Sequence, residues 1–261
     1  MISLRKSFTG KLPDSFFSRI KNVQSKIKGK PERYDFNNGK IKISDRTIQW
    51  TTHRHRCHLY SGGFSHRGSS IGKSYLLENI NFNDGDVIID CGANMGDLQL
   101  YFWNQDVKVK YIGVEPNPLD FECLSENMLL EGARCLQLAL WNKAGTLDFW
   151  VDSKSASSSL IEPSNFTEKV SIEAVRLDEI QTPGRIKLLK VEGEGAEPEI
   201  LSGCAGILHK VEYVSADVGP ERGINQTSTR KEVIKYLAQN NFEIVEENRY
   251  HRKTILFKNK G

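Results

Sequence analysis

The stretch Val87-Ile-Ile-Asp-Cys-Gly-Ala-Asn-Met-Gly96, followed by Tyr111-Ile-Gly-Val-Glu-Pro116, constrains this chain more than any other part of it. Val87, Ile88 and Ile89 form an apolar run without alternation, the pattern of a central parallel strand covered on both faces. Gly92 and Gly96 let the backbone turn sharply and approach a ligand, where a Cβ would obstruct. Asp97-Leu-Gln-Leu-Tyr-Phe-Trp103 then supplies the apolar positions of a helix. Glu115 ends the next strand, 25 residues after Asp90, where a carboxylate can accept from both hydroxyls of a ribose. The unit reads as strand, glycine turn, helix and strand around an adenosine-containing cofactor.

The turn itself narrows the cofactor. A dinucleotide fingerprint needs Gly-x-Gly-x-x-Gly, and Asn94 stands where the second glycine should let the backbone meet a pyrophosphate. The turn also lacks a phosphate loop ending in Gly-Lys-Ser/Thr. What remains is Asp-x-Gly-x-x-x-Gly, with Asp90 ahead of the turn. A carboxylate there suits a cation, and S-adenosylmethionine carries an ammonium and a sulfonium. The alternative is a strand and turn of this kind with no cofactor, against which stand two ligand-facing features at the right separation.

Length and composition bound the rest. A chain of 261 residues, 38% hydrophobic and 26% charged, can bury a sizeable core and has the make-up of an ordinary soluble domain with an extension. It has no apolar run long enough for a membrane span, and its first residues lack the apolar stretch expected of a secretory signal. Five scattered cysteines with no Cys-x-x-Cys pair predict reduced thiols and a cytoplasmic setting rather than a disulfide frame or zinc ribbon. Charge is uneven: residues 1–33 hold nine Lys/Arg against Asp14 and Glu32, although the whole chain is only +3. Phe16, Ile20, Val23 and Ile27 recur at helical spacing after Pro13-Asp14-Ser15, a helix-start signal. Such a basic amphipathic helix can lie on an anionic membrane surface, giving peripheral contact at the inner face, or pack on the domain with its lysines solvated. The shortness of the apolar stripe favours the second reading.

Two regions follow from the pattern: a basic and substrate-side extension over 1–72, and an α/β domain over 73–261. In the first, Gly39-Lys-Ile-Lys-Ile-Ser-Asp45 alternates like a short strand, and residues 68–72 read as a loop before a helix over 73–79. In the second, strands are expected at 87–91, 111–115, 135–140, 186–192, 211–217, 242–247 and 252–258. Helices are expected at 97–104, 118–131, 197–207 and 228–240. Alternating β and α predicts a doubly wound, mostly parallel seven-stranded sheet. The tight connection at Glu247-Asn-Arg-Tyr250 makes the last two strands an antiparallel hairpin. Residues 146–177 form an extra β insert between strands three and four. This is the Rossmann-like arrangement of class I methyltransferases.

The motifs, taken in order, resemble the FkbM-type methyltransferases over about residues 70 to 220. They are Ile89-Asp-Cys-Gly-Ala-Asn-Met-Gly96, Gly113-Val-Glu-Pro-Asn-Pro118 with Leu124-Ser-Glu-Asn127, Ala139-Leu140 with Gly145, and Ser157-Ser-Ser-Leu160. Last come Val175-Arg-Leu-Asp178 and Lys187-Leu-Leu-Lys-Val-Glu-Gly-Glu-Gly-Ala-Glu197 with Leu201-Ser-Gly203. The final motif is the family-specific one. Its usual form is Lys-Ile-Asp-Val-Glu-Gly-Ala-Glu, and here Glu192 replaces the aspartate and Gly193 the valine. The resemblance implies methyl transfer from S-adenosylmethionine to an oxygen, often a sugar hydroxyl of a surface polysaccharide, glycolipid or sugar-containing natural product. By position it implies that Asp90, Gly92, Ala93, Asn94, Met95, Gly96 and Asp97 hold the methionine end and ribose side. It also implies that Glu115 binds the ribose, Pro116 and Asn117 flank the adenine, and Ala139, Leu140 and Trp141 cover it.

Ligands of doubly wound sheets sit outside the carboxyl ends of the strands, which puts Lys190 to Glu197 beside the acceptor. A hydroxyl is a weak nucleophile, and a carboxylate raised in pKa by burial can take its proton. Glu192 and Glu194 are the candidates for that base. Glu197, next to Pro198, reads as a helix cap or substrate-side group. A divalent ion on Glu192, Glu194 or Asp217 is the lesser option, so no metal is assigned. His53, Arg54, His55 and Cys57 lie in a run that reads as a strand, with His53, His55 and Cys57 on one face. That run, with Lys190, Asp217 and Arg222, is a candidate lip for an acceptor carrying phosphate or sugar carboxylate; a solvated basic strand is the equal alternative. A nucleic-acid methyltransferase is the first rival. Basic charge confined to the terminus, without interleaved aromatics, argues against it, and no nucleic-acid partner is expected. Val191-Glu-Gly-Glu194 excludes an Asn/Asp-Pro-Pro-Tyr amino methyltransferase, and Asn94 disfavours a nicotinamide oxidoreductase.

Overall fold

The computed structural model describes residues 13–37, 39–129, 132–152, 158–248 and 252–261. The chain divides into two units, Met1–Arg67 and Gly68–Gly261. Part of the basic N-terminal segment (Arg5, Lys6 and Lys11), Ser157 of the Ser-Ser-Ser-Leu motif and Arg249-Tyr250 of the hairpin connection lie outside the described residues.

In the first unit, helix α1 (Asp14–Ile27) precedes a meander of three antiparallel strands, β1 (Arg33–Asn37), β2 (Lys40–Ser44) and β3 (Gln49–Thr52). Alternation in β2 buries Ile41 and Ile43, as the sequence pattern predicts. The helix does not pack through the expected stripe. Phe17, Ser18 and Ser25 are its buried positions, whereas Phe16, Val23 and Ile27 are exposed. The reason is a polar clamp: Asn22 exchanges two hydrogen bonds with the backbone of Tyr34, at 2.8 and 2.7 Å, and Ser25 Oγ donates to Glu32 O at 2.7 Å. The His-Arg run is not a strand either. Arg54–Tyr60 is a 3₁₀ helix that buries Arg56, Cys57 and Tyr60, so the shared strand face of His53, His55 and Cys57 does not exist. The rings of His53 and His55 instead stack at 5.7 Å.

The next helix, α2, spans Phe64–Ser74, where a loop over 68–72 is expected from its two glycines. These glycines serve packing. A Cβ on Gly68 would come within 2.4 Å of Leu100 O, and one on Gly72 within 2.3 Å of the Tyr101 ring. The gain from this close approach offsets the roughly 1 kcal/mol that glycine costs inside a helix.

The second unit is built on β4 (Val87–Cys91), α3 (Gln99–Asn104), β5 (Lys110–Val114), α4 (Pro118–Met128) and β6 (Arg134–Leu136). An insert follows, made of β7 (Ala139–Leu140), β8 (Gly145–Val151) and β9 (Glu168–Val175). Then come β10 (Ile186–Val191), α5 (Glu197–Ser202), β11 (Val211–Asp217), the small ribbon β12 (Pro220–Arg222) with β13 (Thr227–Ser228), α6 (Arg230–Gln239), β14 (Phe242–Glu247) and β15 (Thr254–Asn259). The seven-stranded sheet has the order β14-β15-β11-β10-β4-β5-β6, parallel except for β15. This is the Rossmann-like, mixed α/β sheet that the pattern predicts. Chain order runs outward from β4 to β6 on one side and from β10 to β11 on the other. The β4/β10 boundary is therefore the topological switch point, where ligands bind in such sheets.

Two expected elements are shorter. The strand expected over 135–140 divides, because Ala139-Leu140 leaves the main sheet to pair with β9. The helix expected to reach 207 stops at Ser202, and Gly203 beyond it packs so closely that a Cβ there would meet Trp141 O at 2.1 Å. Asp178, held by Arg176 at 2.8 and 2.5 Å, accepts from Gly206 N just beyond. The two faces of the sheet differ. Val87, Ile89, Cys91, Leu189, Val191, Val214 and Ala216 join the main apolar cluster with Ile200, Leu201, Val233 and Leu237. Alternate positions on the other face carry Asp90, Lys190 and Ser215, all buried.

Candidate active site at the carboxyl ends of β4 and β10

Asp90 and Lys190 are direct neighbours in register on adjacent parallel strands, so their side chains leave the same face of the sheet. Lys190 Nζ lies 3.0 Å from Asp90 Oδ1 and 2.9 Å from Glu192 Oε2, and donates to the carbonyl of Gly92 at 2.7 Å. Tyr111, two residues before the position paired with Asp90, donates its hydroxyl to Asp90 Oδ2 at 2.5 Å. Burial alone would lower the Lys190 ammonium, but Asp90 and Tyr75 overcome that and hold it above its ordinary value. Asp90 is 1% exposed; its Oδ2 accepts from Tyr111, and its Oδ1 is ion-paired with Lys190 but accepts no hydrogen bond among the described residues.

Tyr75, just past the end of α2, covers this layer. Its ring lies 5.0 Å from Lys190 Nζ and 5.1 Å from the Arg252 guanidinium. Its hydroxyl donates to Glu192 Oε2 and accepts from Arg252 Nη1 at 2.9 Å. Ser215 Oγ fixes the tyrosine backbone, donating to Tyr75 O at 2.7 Å. Burial raises the Tyr75 phenol, partly offset by Lys190 and Arg252. Arg252, at the entry to β15, also contacts Glu192 Oε1 and lies 3.0 Å from Asp217 Oδ2. Glu192 is thus held by one tyrosine and two cations. Tyr75 and Arg252 were not apparent from the sequence, since they come from 117 residues before and 60 residues after Glu192.

The glycine turn after β4 is shaped by its neighbours. Gly92 has φ +72°, and a Cβ there would lie 2.1 Å from the carbonyl oxygen of Glu192. The turns leaving β4 and β10 therefore touch through their main chains. Asn94 is also left-handed, at φ +54°. Its N–H donates to Glu115 Oε2 at 2.8 Å, and Asn117 N donates to Glu115 Oε1 at 2.8 Å. Burial and the nearby Asp120 push the Glu115 carboxyl up to about 7, against the pull of these two amides. Asn117 caps α4, accepting from Leu119 N. Met95 is fully buried, and its carbonyl accepts from Asn127. Ala93 and Asp97 are buried, and Pro116 is half-buried. Ala139 and Leu140 are buried in the insert sheet, and Trp141 N donates to Val175 O.

Beyond β10, Glu194 adopts φ +50°, an uncommon conformation for a side-chain-bearing residue. Ser159 Oγ from the insert donates to its carbonyl at 2.9 Å. Burial, with Glu221 and Asp217 nearby, pushes the Glu194 carboxyl up to about 9. The same burial and crowding raise Glu221 to about 8. Burial raises Asp217 to about 6. Glu221 is the third site residue that sequence reasoning missed; its place in Asp217-Val-Gly-Pro-Glu221 was the available signal. Glu197 does not cap its own helix as expected. Its Oε1 accepts from Gly193 N and Gly195 N, and its Oε2 from Thr229 Oγ, so it braces the turn that carries Glu194. Arg222 is committed to Glu199 through two hydrogen bonds, at 2.8 and 2.6 Å, and donates to Gly195 O. An acidic acceptor binding at Arg222 would have to compete with that pair. Among the described residues, no group of three or more His, Cys, Asp or Glu side chains is arranged to hold a metal ion. No disulfide joins the five cysteines, and no described helix is long and apolar enough to cross a membrane.

A profile described as the Methyltransferase FkbM domain matches residues 90–244. The chain is similar to Methyltransferase sdnD of Sordaria araneosa, 29% identical over 160 residues, covering 47% of this chain and 62% of that protein. It is also similar to Methyltransferase 1 of Beauveria bassiana (strain ARSEF 2860), 25% identical over 166 residues, 54% of this chain and 66% of that protein. The chain thus spans under two thirds of each of these relatives. Among solved structures, M. capricolum TrmK in complex with S-adenosyl-homocysteine aligns over 73% of this chain and 68% of its own, at 12% identity and a TM-score of 0.42.

Proposed function

The chain belongs to the FkbM methyltransferase family, and from that premise we propose that it methylates a hydroxyl of a carbohydrate acceptor, with Glu194 receiving the hydroxyl proton. The reaction class is methyl transfer and the cofactor is S-adenosylmethionine. The chain's own residues fit that cofactor. Left-handed residues at 92, 94 and 96 fold the turn tightly around the carboxyl end of β4. Glu115 reaches into the same turn with a carboxylate suited to two ribose hydroxyls.

When bound, the cofactor supplies an electrophilic methyl group on a sulfonium. The turn at residues 92–96 and Glu115 would hold it, and it would supply the methyl group taken by the acceptor oxygen, with S-adenosylhomocysteine as the leaving group. The hydroxyl proton passes to Glu194. Burial that raises the Glu194 carboxyl makes it a stronger base once ionised. Glu192, held by Tyr75, Lys190 and Arg252, orients the acceptor and keeps the adjoining charges balanced. The observation that supports this reading is the crowding of Glu194, Asp217 and Glu221 on the segments that follow β10 and β11, which with burial raises all three carboxyls.

The test is turnover with labelled S-adenosylmethionine across a panel of neutral and acidic glycans. Glu194→Gln should lower kcat by about two to four orders of magnitude while cofactor affinity stays constant. Parental turnover should rise with pH toward 9, and that rise should vanish in Glu194→Gln. A kcat within threefold of the parent would remove Glu194 as the base. Methylation of RNA or DNA, with no glycan accepted, would remove the carbohydrate reading.

A further inference from the structure

Helix α1 is amphipathic twice over. Its buried side is fastened to β1 through Asn22 and Ser25, so the helix cannot roll about its axis without breaking those hydrogen bonds. At 3.6 residues per turn, Phe16, Ile20, Val23 and Ile27 fall within about 60° of one another, and Phe17, Ser18 and Ser25 point away from them. Three of the four stripe residues therefore face outward, and Ile20 is half-buried. Phe16 is 49% exposed, Val23 57% and Ile27 79%, the last two among the most exposed large hydrophobic residues described.

The charge around this stripe is of one sign. Between Asp14 and Glu32 the chain carries Arg19, Lys21, Lys26, Lys28 and Lys30 and no acidic residue. Arg19 and Lys26 lie about 70 to 90° from the centre of the stripe on one flank. An exposed apolar stripe on its own has no preferred occupant. A stripe bordered by cations, on a helix whose other side is anchored, matches a surface that is apolar within and anionic at its boundary. We propose that α1 docks the protein on an anionic lipid bilayer, with Phe16, Ile20, Val23 and Ile27 inserted at the headgroup boundary and the basic flank against lipid phosphates. This contact is peripheral and independent of the methyl-transfer reading.

The experiment is sedimentation of the full chain with vesicles of pure phosphatidylcholine or of phosphatidylcholine with 30% phosphatidylglycerol. The expected result is at least tenfold tighter partitioning on the anionic vesicles, weakening as salt is raised. The double variant Val23→Glu/Ile27→Glu should lose at least tenfold of that partitioning. It should retain its far-ultraviolet circular dichroism and its affinity for S-adenosylhomocysteine, which shows that it is folded. A second variant, Arg19→Gln/Lys26→Gln, leaves the apolar stripe intact and should remove most of the preference for anionic lipid. Equal partitioning of parent and Val23→Glu/Ile27→Glu would overturn the proposal. So would no vesicle binding together with a concentration-dependent dimer that the same variant abolishes, since the stripe would then be an interface between copies of this chain.

Discussion

Replacing Gly92 by alanine separates two costs that usually come together. The residue sits at φ +72°, and its missing Cβ would lie 2.1 Å from the backbone oxygen of Glu192. A backbone carbonyl in the residue directly after a central strand cannot swing aside as a side-chain tip can. The left-handed conformation costs a non-glycine residue about 1–2 kcal/mol. Overpacking against an immobile neighbour adds about 1–3 kcal/mol, giving about 2–5 kcal/mol in all. Gly85 provides the control, with φ +87° and nothing within 4 Å of its would-be Cβ. Gly85→Ala therefore carries only the conformational part, about 1–2 kcal/mol. For a unit of this size, 1 kcal/mol corresponds to about 2–4 °C in melting temperature. Gly92→Ala should lower Tm by about 4–20 °C and Gly85→Ala by about 2–8 °C. Because the clash pushes apart the turns leaving β4 and β10, Gly92→Ala should also weaken S-adenosylhomocysteine binding by at least tenfold, and Gly85→Ala should not. Differential scanning calorimetry and isothermal titration give both numbers. Equal melting temperatures for the two variants, or parental affinity in Gly92→Ala, would refute the contact as the reason for glycine at 92.

Lys190→Met leaves Asp90 and Glu192 without their shared buried cation, and urea unfolding should report a loss of about 3–5 kcal/mol, partly restored by adding Asp90→Asn. Glu194, Glu221, Asp217 and Glu115 all have folded pKa values raised above their unfolded ones, so the folded state holds more protons between about pH 4 and 9. Their stabilising contribution is complete below the unfolded values and is lost as pH rises through about 6 to 9; the urea midpoint should be lower at pH 9 than at pH 6, and the reverse order would contradict the raised values. A ribose hydroxyl donates best to an ionised Glu115, whose pKa stands at about 7. Cofactor affinity measured by calorimetry should therefore fall as pH drops from 8 to 6, and Glu115→Gln should flatten that dependence while weakening binding throughout.

The sheet was legible because its signals are local. The apolar run Val87-Ile-Ile89, the turn after it and Glu115 mark β4, its exit and β5 within thirty residues of sequence. The hairpin and the insert were legible from alternation and spacing. What the sequence concealed depends on contacts between distant segments. The glycines at 68 and 72 look like a loop until Leu100 and Tyr101 are seen against them. The His-Arg run alternates like a strand, but burial of Arg56, Cys57 and Tyr60 on one side of a 3₁₀ turn prevails. In α1 the apolar stripe was plain, but which side packs was decided by two polar residues, Asn22 and Ser25, that carry no hydrophobic signal. At the site, the glutamates were readable from one motif, whereas Tyr75 and Arg252 converge on Glu192 only once α2 and β15 are in place.

Strand β15 follows β14 in the chain yet pairs with both β14 and β11, lying between them in the sheet. Both strands that it pairs with are therefore synthesised before it. Until it arrives, β11 presents an open, apolar edge, the kind of edge that recruits strands from other molecules. Arg252 travels with β15 and is the cation shared by Glu192 and Asp217. Closing the sheet and balancing the charge of the site are thus one event in biogenesis. A nascent chain that has emerged only as far as β14 would present an open sheet edge and lack the cation shared by Glu192 and Asp217.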